Sequence, residues 1–117
     1  AKKEQRCDEV VELVDLFPTL LDLCGLNSIP ELEGRSLVSL LNGESGQGSV
    51  EGFSQVANGW SVRSDRWRLM SLNPNRREML LYDLMKDPFE LLNEARNPER
   101  AGLLESLTEK ARSKGFE

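Results

Sequence analysis

The chain has 117 residues, 38% of them hydrophobic and 30% charged, with a net charge of −5. That length suits one small fold with a modest core, and the acidic balance argues against the basic face that a nucleic-acid partner needs. No apolar run approaches the roughly 20 residues that span a bilayer. The opening AKKEQR has no Met and no signal-peptide pattern. It reads as a cut or processed piece of a longer protein, with any export signal upstream. For Cys7 and Cys24 the plainer reading is two unrelated thiols, Cys24 buried on a helix. A disulfide in an oxidising compartment stays open.

In chain order, residues 1–9 are polar and read as a disordered or tag-like N-terminus. Val10, Val11, Leu13 and Val14 form a β-branched apolar run that predicts a strand. Asp15 then stands where it can cap a helix, and Pro18 falls in that helix's first turn, where a missing N–H costs nothing. Leu16, Leu20, Leu23 and Cys24 share one helical face, and Gly25 ends the helix. Ser36 to Leu41 predicts a second, short helix stopped by Asn42-Gly43. Residues 46–52 are rich in glycine and serine and read as a linker.

The pattern then changes from helical to alternating. Strands are predicted over Phe53–Ala57, Trp60–Arg63, Trp67–Leu72 and Glu78–Leu84. Asn58-Gly59 supplies the first hairpin turn and Ser64-Asp65 the second. Close spacing with tight turns implies an antiparallel meander. Asp87-Pro88 breaks the pattern, and Phe89 to Ala95 can wind into a helical turn. Asn97-Pro98 opens a last helix with Leu103, Leu104, Leu107 and Ala111 on one face. The fold class is therefore α+β: a four-stranded antiparallel sheet packed by a C-terminal amphipathic helix, preceded by a strand–helix piece.

Catalytic chemistry is hard to build from these residues. There is no His, so neither Ser54 nor Cys24 has an obvious base to activate it. Asp83, Asp87, Glu90 and Glu94 are close in sequence but fit no calcium loop, and they read as strand ends and Asx turns. Arg63, Arg66, Arg68, Arg76 and Arg77 alternate with acidic and apolar residues. Cross-strand pairing with Asp65, Glu78 and Asp83 explains them better than an anion site does. Phe53, Trp60, Trp67 and Tyr82 read as core.

Segments in consistent order now carry a resemblance. VELVDLFPTLLDLCGL (Val11 to Leu26) and LEGRSLVSLLNG (Leu32 to Gly43) resemble the end of a sulfatase catalytic domain. FSQVANGWSVRSDRWRL and LLYDLMKDPFELLNEARNPE resemble the sulfatase C-terminal subdomain, in the flavour of the iduronate-2-sulfatase and choline-sulfatase side of the alkaline-phosphatase superfamily. Val56 departs from the aromatic common after Ser-Gln, and Glu94 interrupts the usual Asn-Leu.

The resemblance implies a parent enzyme that hydrolyses sulfuric esters with a formylglycine and Ca²⁺. It carries neither group onto this chain, which lacks Cys/Ser-x-Pro-x-Arg; after Cys24 comes Gly-Leu-Asn-Ser. Expected here are no catalytic residue, no metal and no cofactor. The plan it implies is residues 10–45 as the tail of the catalytic domain and 53–117 as the C-terminal subdomain. Gln55, Asn58, Trp60 and Arg63 are the candidates for the rim of the substrate pocket. The expected partners are the missing N-terminal catalytic domain, the parent's sulfate ester substrate and a second copy through an exposed edge, with no nucleic acid and no membrane. A periplasmic or extracellular location follows from the resemblance. A free-standing accessory module, or a fragment of a related phosphoesterase, is the alternative.

Overall fold

Alternating residues after Val50 build one antiparallel sheet in the computed structural model, which describes residues 6–44, 51–57, 59–73 and 78–116. Its strands are β1 (Glu51–Val56), β2 (Gly59–Ser64), β3 (Trp67–Asn73) and β4 (Glu78–Asp83), in the order β1-β2-β3-β4. Each strand pairs with the next in sequence, so every connection is short and the meander needs no crossover. A 3-10 turn (Pro98–Arg100) leads into helix α3 (Ala101–Ser113), which packs on β2 and β3. Asn97 caps that turn, its Oδ1 accepting the Glu99 N–H at 3.1 Å, with Pro98 next.

The core lies between sheet and helix. Val62, Leu69, Leu81 and Ala111 are fully buried, and Trp60 and Leu107 nearly so. Phe53, Trp67, Met79, Leu103 and Leu104 pack around them. Strand period 2 sends Trp60 and Val62 inward, and helix period 3.6 does the same for Leu107 and Ala111. Gly115, at φ +83°, ends α3, and the Phe116 N–H donates to Ala111 O at 3.1 Å. That turns the Phe116 ring edge-on to Phe53, 6.2 Å between centroids.

The first hairpin differs from expectation. Val56 pairs with Gly59, so Gly59 belongs to strand β2 rather than to the turn. Ala57 takes the left-handed conformation, φ 38°. Gly59 is already strand, and its role is closeness: a Cβ there would lie 2.7 Å from Ser71 O. Tyr82 also departs from the core reading, because it lies opposite Arg68 on the face away from α3.

The described residues before the sheet belong to a separate compact unit, Ala1–Val50; the sheet and α3 form the other, Glu51–Glu117. The N-terminal unit holds a 3-10 turn (Leu13–Asp15), α1 (Leu16–Leu23) and α2 (Val38–Leu41). Val10–Val14 is not a strand. Among the described residues Val10 makes one bridge and Val11–Val14 pairs with no strand, and the Asp15 side chain closes a turn by accepting the Glu12 N–H at 2.9 Å.

Asp15 therefore does not cap α1 with its side chain. Its other oxygen accepts the Arg35 N–H at 3.0 Å, across twenty residues of chain. Thr19 Oγ1 donates to Asp15 O and accepts the Leu37 N–H at 2.9 Å. Gly25, at φ +66°, ends α1, with the Leu26 N–H donating to Leu21 O. Cys24 is exposed rather than buried, and Cys7 and Cys24 are both free thiols. The segment 46–50 of the Gly/Ser-rich stretch lies outside the described residues. Among the described residues no helix is long and apolar enough to cross a membrane.

Candidate functional site

The pleat of β1 and β2 separates the rim candidates. Gln55 is exposed and sits opposite Trp60 in the ladder. Trp60 itself is 7% exposed and belongs to the core, its indole Nε1 buried without a hydrogen-bond partner. Arg63 is exposed and, three residues on, points to the other face. Asn58 lies outside the described residues. Of the three described candidates, Trp60 packs in the core and also borders the groove described next, while Gln55 and Arg63 point to different faces.

The face away from α3 carries a groove of about 340 Å³ lined by Ser54, Val56, Ser61, Arg68, Met70 and Leu72 among others. Arg68 is its cation. Its Nη1 donates to Glu90 Oε1 at 2.8 Å, while its Nε is buried and unpartnered. Arg63 stands directly across from Arg68 in the β2–β3 ladder, a like-charge pair, so Glu90 relieves a repulsion as well as completing a salt bridge. The backbone of Glu90 takes φ 57°. That departs from the helical turn expected over Phe89–Ala95, where the chain forms turns instead. Serine hydroxyls, a guanidinium and apolar walls can bind a polar ligand. They hold no nucleophile–base pair.

A second cluster locks the end of the sheet. Arg66 donates to both carboxylate oxygens of Asp83, at 3.0 and 2.6 Å. Asp83 is 1% exposed. The bond from Arg66 holds its carboxyl below the ordinary range, assisted by the Met85 and Lys86 N–H groups, and Asp83 in turn raises Arg66. The guanidinium groups of Arg66 and Arg100 lie 5.0 and 5.2 Å from the Trp67 ring centroid, and Arg100 also pairs with Glu94 at 2.8 Å. Asp87 Oδ2 accepts the Leu92 N–H at 2.8 Å, and that bond, with Leu91's, lowers its pKa too.

Of the expected cross-strand pairs, then, Arg66–Asp83 forms. Arg68 finds Glu90 instead, and Asp65 and Glu78 make no ion pair among the described residues. Arg76 and Arg77 lie outside them. Among the described residues no group of three or more His, Cys, Asp and Glu could hold a metal ion. Sequence reading missed Arg68–Glu90 and Asp15–Arg35, because their partners are 22 and 20 residues apart. The only trace of the first was Glu90's place in the quoted Asp-Pro-Phe-Glu.

Comparison with known proteins adds to this geometry. The profile of the N-sulphoglucosamine sulphohydrolase C-terminal family matches residues 1–115. A sulfatase of Formosa agariphila is 30% identical over 106 residues, covering 90% of this chain and 20% of that protein. Mouse (Mus musculus) arylsulfatase K is 31% identical, covering 96% of this chain and 22% of its own length. The chain thus spans about a fifth of these relatives. Among solved structures, a 2-O GAG sulfatase superposes with TM-score 0.73 at 29% identity, over 86% of this chain and 23% of that one. The phosphonate monoester hydrolase of Agrobacterium radiobacter does so with TM-score 0.66 at 28% identity, over 85% and 23%.

Proposed function

Because this chain belongs to the N-sulphoglucosamine sulphohydrolase C-terminal family, we propose that it is the C-terminal portion of a sulfuric ester hydrolase. By itself it is non-catalytic. It completes a preceding catalytic domain, which is its partner, and borders that domain's substrate pocket, where the sulfate ester of the parent would bind. Gln55 and Arg63 are the exposed candidates for that border, and the Arg68 groove is a further one. A periplasmic or extracellular location goes with the same reading.

The observation that carries the reading is the uncovered apolar side of the N-terminal unit. Leu13 is 85% exposed, and Leu16, Phe17, Leu20 and Leu23 are each more than half exposed. A helix with this stripe needs cover from elsewhere, and the matched relatives are about five times as long.

Ca²⁺ and formylglycine belong to the proposed parent. The residues here fit neither group: the formylglycine motif is absent, and no described side-chain cluster suits a metal. No step is assigned to either in this chain.

The test is turnover of 4-nitrophenyl sulfate by the 117-residue chain and by the longer protein with its upstream sequence. Activity is expected only from the longer one, and turnover by the short chain would sink the proposal. The phosphonate monoester hydrolase at 28% identity supports a second reading, a related phosphoesterase. An upstream Thr or Ser nucleophile outside a Cys/Ser-x-Pro-x-Arg context, with phosphonate ester turnover, would select it. A start codon immediately before this segment would instead mark a free-standing module.

A further inference from the structure

The N-terminal unit contains a cavity of about 520 Å³ that none of the preceding roles uses. Leu21, Leu26, Ile29 and Leu32 form its apolar walls, and Asp22 and Arg35 supply its charges. Arg35 Nε and Nη2 are buried and meet no hydrogen-bond acceptor. The backbone beneath them is fixed: the Arg35 N–H donates to Asp15, Gly34 lies against the Val14 carbonyl, and Ser36 Oγ donates to Asp22 Oδ2. Asp15 is thereby engaged with the Arg35 backbone and Asp22 with Ser36, while the Arg35 guanidinium is left unpaired. A buried guanidinium N–H without an acceptor is costly, so this arrangement calls for acceptors from outside the unit.

Charge decides which acceptors. Arg6 and Arg35 are the basic residues among described positions 6–44, against acidic residues running from Asp8 to Glu44. A free anion would enter an acidic surround and sit beside Asp22. Backbone carbonyls carry no net charge, and the rigid Nε/Nη2 fork suits a pair of oxygens, such as the unpaired carbonyls at a helix C-terminus.

We propose that this cavity is a socket for a peptide segment of the same polypeptide upstream of residue 1. Backbone carbonyls of that segment accept from Arg35 Nε and Nη2, and its apolar side chains fill the walls around Ile29 and Leu32. The occupant follows from the length of the relatives, about four-fifths of which lies outside this chain, and from the exposed apolar side of α1. The inference rests on the reading that a longer parent exists.

The experiment compares Arg35→Gln, Arg35→Lys and Ile29→Ser in the 117-residue chain and in the longer protein. It reads thermal midpoints and amide exchange over residues 26–36. In the short chain Arg35→Gln is expected to leave the midpoint unchanged or raise it. In the longer protein it is expected to speed exchange about tenfold, the scale of a lost charge-assisted hydrogen bond. Arg35→Lys fails to restore protection, and Ile29→Ser speeds exchange in the longer protein alone. Equal effects in both proteins, or none in the longer one, overturn the socket. So does sulfate titration that shifts these amides in the short chain and is abolished by Arg35→Gln, which would mark an anion site. Self-association of the short chain, lost in Arg35→Gln, would make a second copy the occupant and overturn the assignment. A longer protein without sulfatase activity would defeat the enzymatic reading while leaving the socket intact.

Discussion

Asp83 shows how one carboxylate closes a strand. It sits in the last residue of β4, receives both arms of Arg66, and accepts the Met85 N–H at 3.3 Å as the chain turns away. Its folded pKa is lowered. The stabilisation is therefore present above the unfolded carboxyl's pKa, about 3.9, and is lost as pH falls through the folded value. Wild-type urea midpoints are expected to fall in that acid window, with Asp83→Asn less stable at neutral pH and lacking this share of the pH dependence. An unchanged pH profile in the variant would remove Asp83 from the account. Gly34 acts by having no side chain. A Cβ there would lie 2.0 Å from Val14 O, so the backbone must part. Gly34→Ala is expected to cost about 1–3 kcal/mol, measured as a lower midpoint for the N-terminal unit's helical signal. Asp83 was legible as a strand lock because it falls at the end of a predicted strand and Arg66 lies just before the strand it pairs with in the meander. Gly34 was not, because what it approaches lies twenty residues earlier.

At the scale of elements, the sheet was legible and its borders less so. Alternation of apolar and polar residues marked β1 to β4 to within a residue or two, because a half-buried strand imposes period 2. The edge of β4 was hidden. Asn93 Oδ1 accepts the Leu81 N–H at 3.0 Å, Asn93 Nδ2 donates to Met79 O at 3.3 Å, and the Glu94 N–H donates to Leu81 O at 2.8 Å. A side-chain amide and one backbone N–H stand in for a fifth strand and blunt an edge that could recruit another chain. Asn93→Ala is expected to cost about 1–2 kcal/mol and to raise aggregation on concentration. A variant as stable and as soluble as wild type would refute this. The Val10–Val14 strand is the opposite case. Its β-branched composition suits a buried strand, yet a strand exists only with a ladder, and without one the local bond from Glu12 to Asp15 wins. The dimer expected through that edge loses its physical basis, leaving exposed apolar side chains but no strand edge there.

For the molecule as a whole, the two units are supported unequally. The C-terminal unit has a closed core of Trp60, Val62, Leu69, Leu81, Leu107 and Ala111. The N-terminal unit buries Leu40 among its apolar side chains and leaves much of α1 bare. Residues 51–117 made alone are expected to unfold cooperatively in urea with an intact near-ultraviolet spectrum. The 117-residue chain is expected to bind a hydrophobic dye more strongly than 51–117, which itself leaves Met85, Phe89, Leu91 and Leu92 exposed, because its N-terminal unit adds the bare side of α1. A dye signal as strong from 51–117 alone would remove α1 as the dye-binding surface.

What the sequence by itself determined was the kind and order of the elements after Val50, the face of α3 that is buried, and the family, because these depend on periodicity and on local motifs. Tertiary structure decided which polar residues meet. Arg68 with Glu90, Asp15 with the Arg35 backbone, the unpaired Arg35 guanidinium and the separation of Trp60 from Arg63 arise from contacts across the chain and from the pleat, which no local pattern encodes.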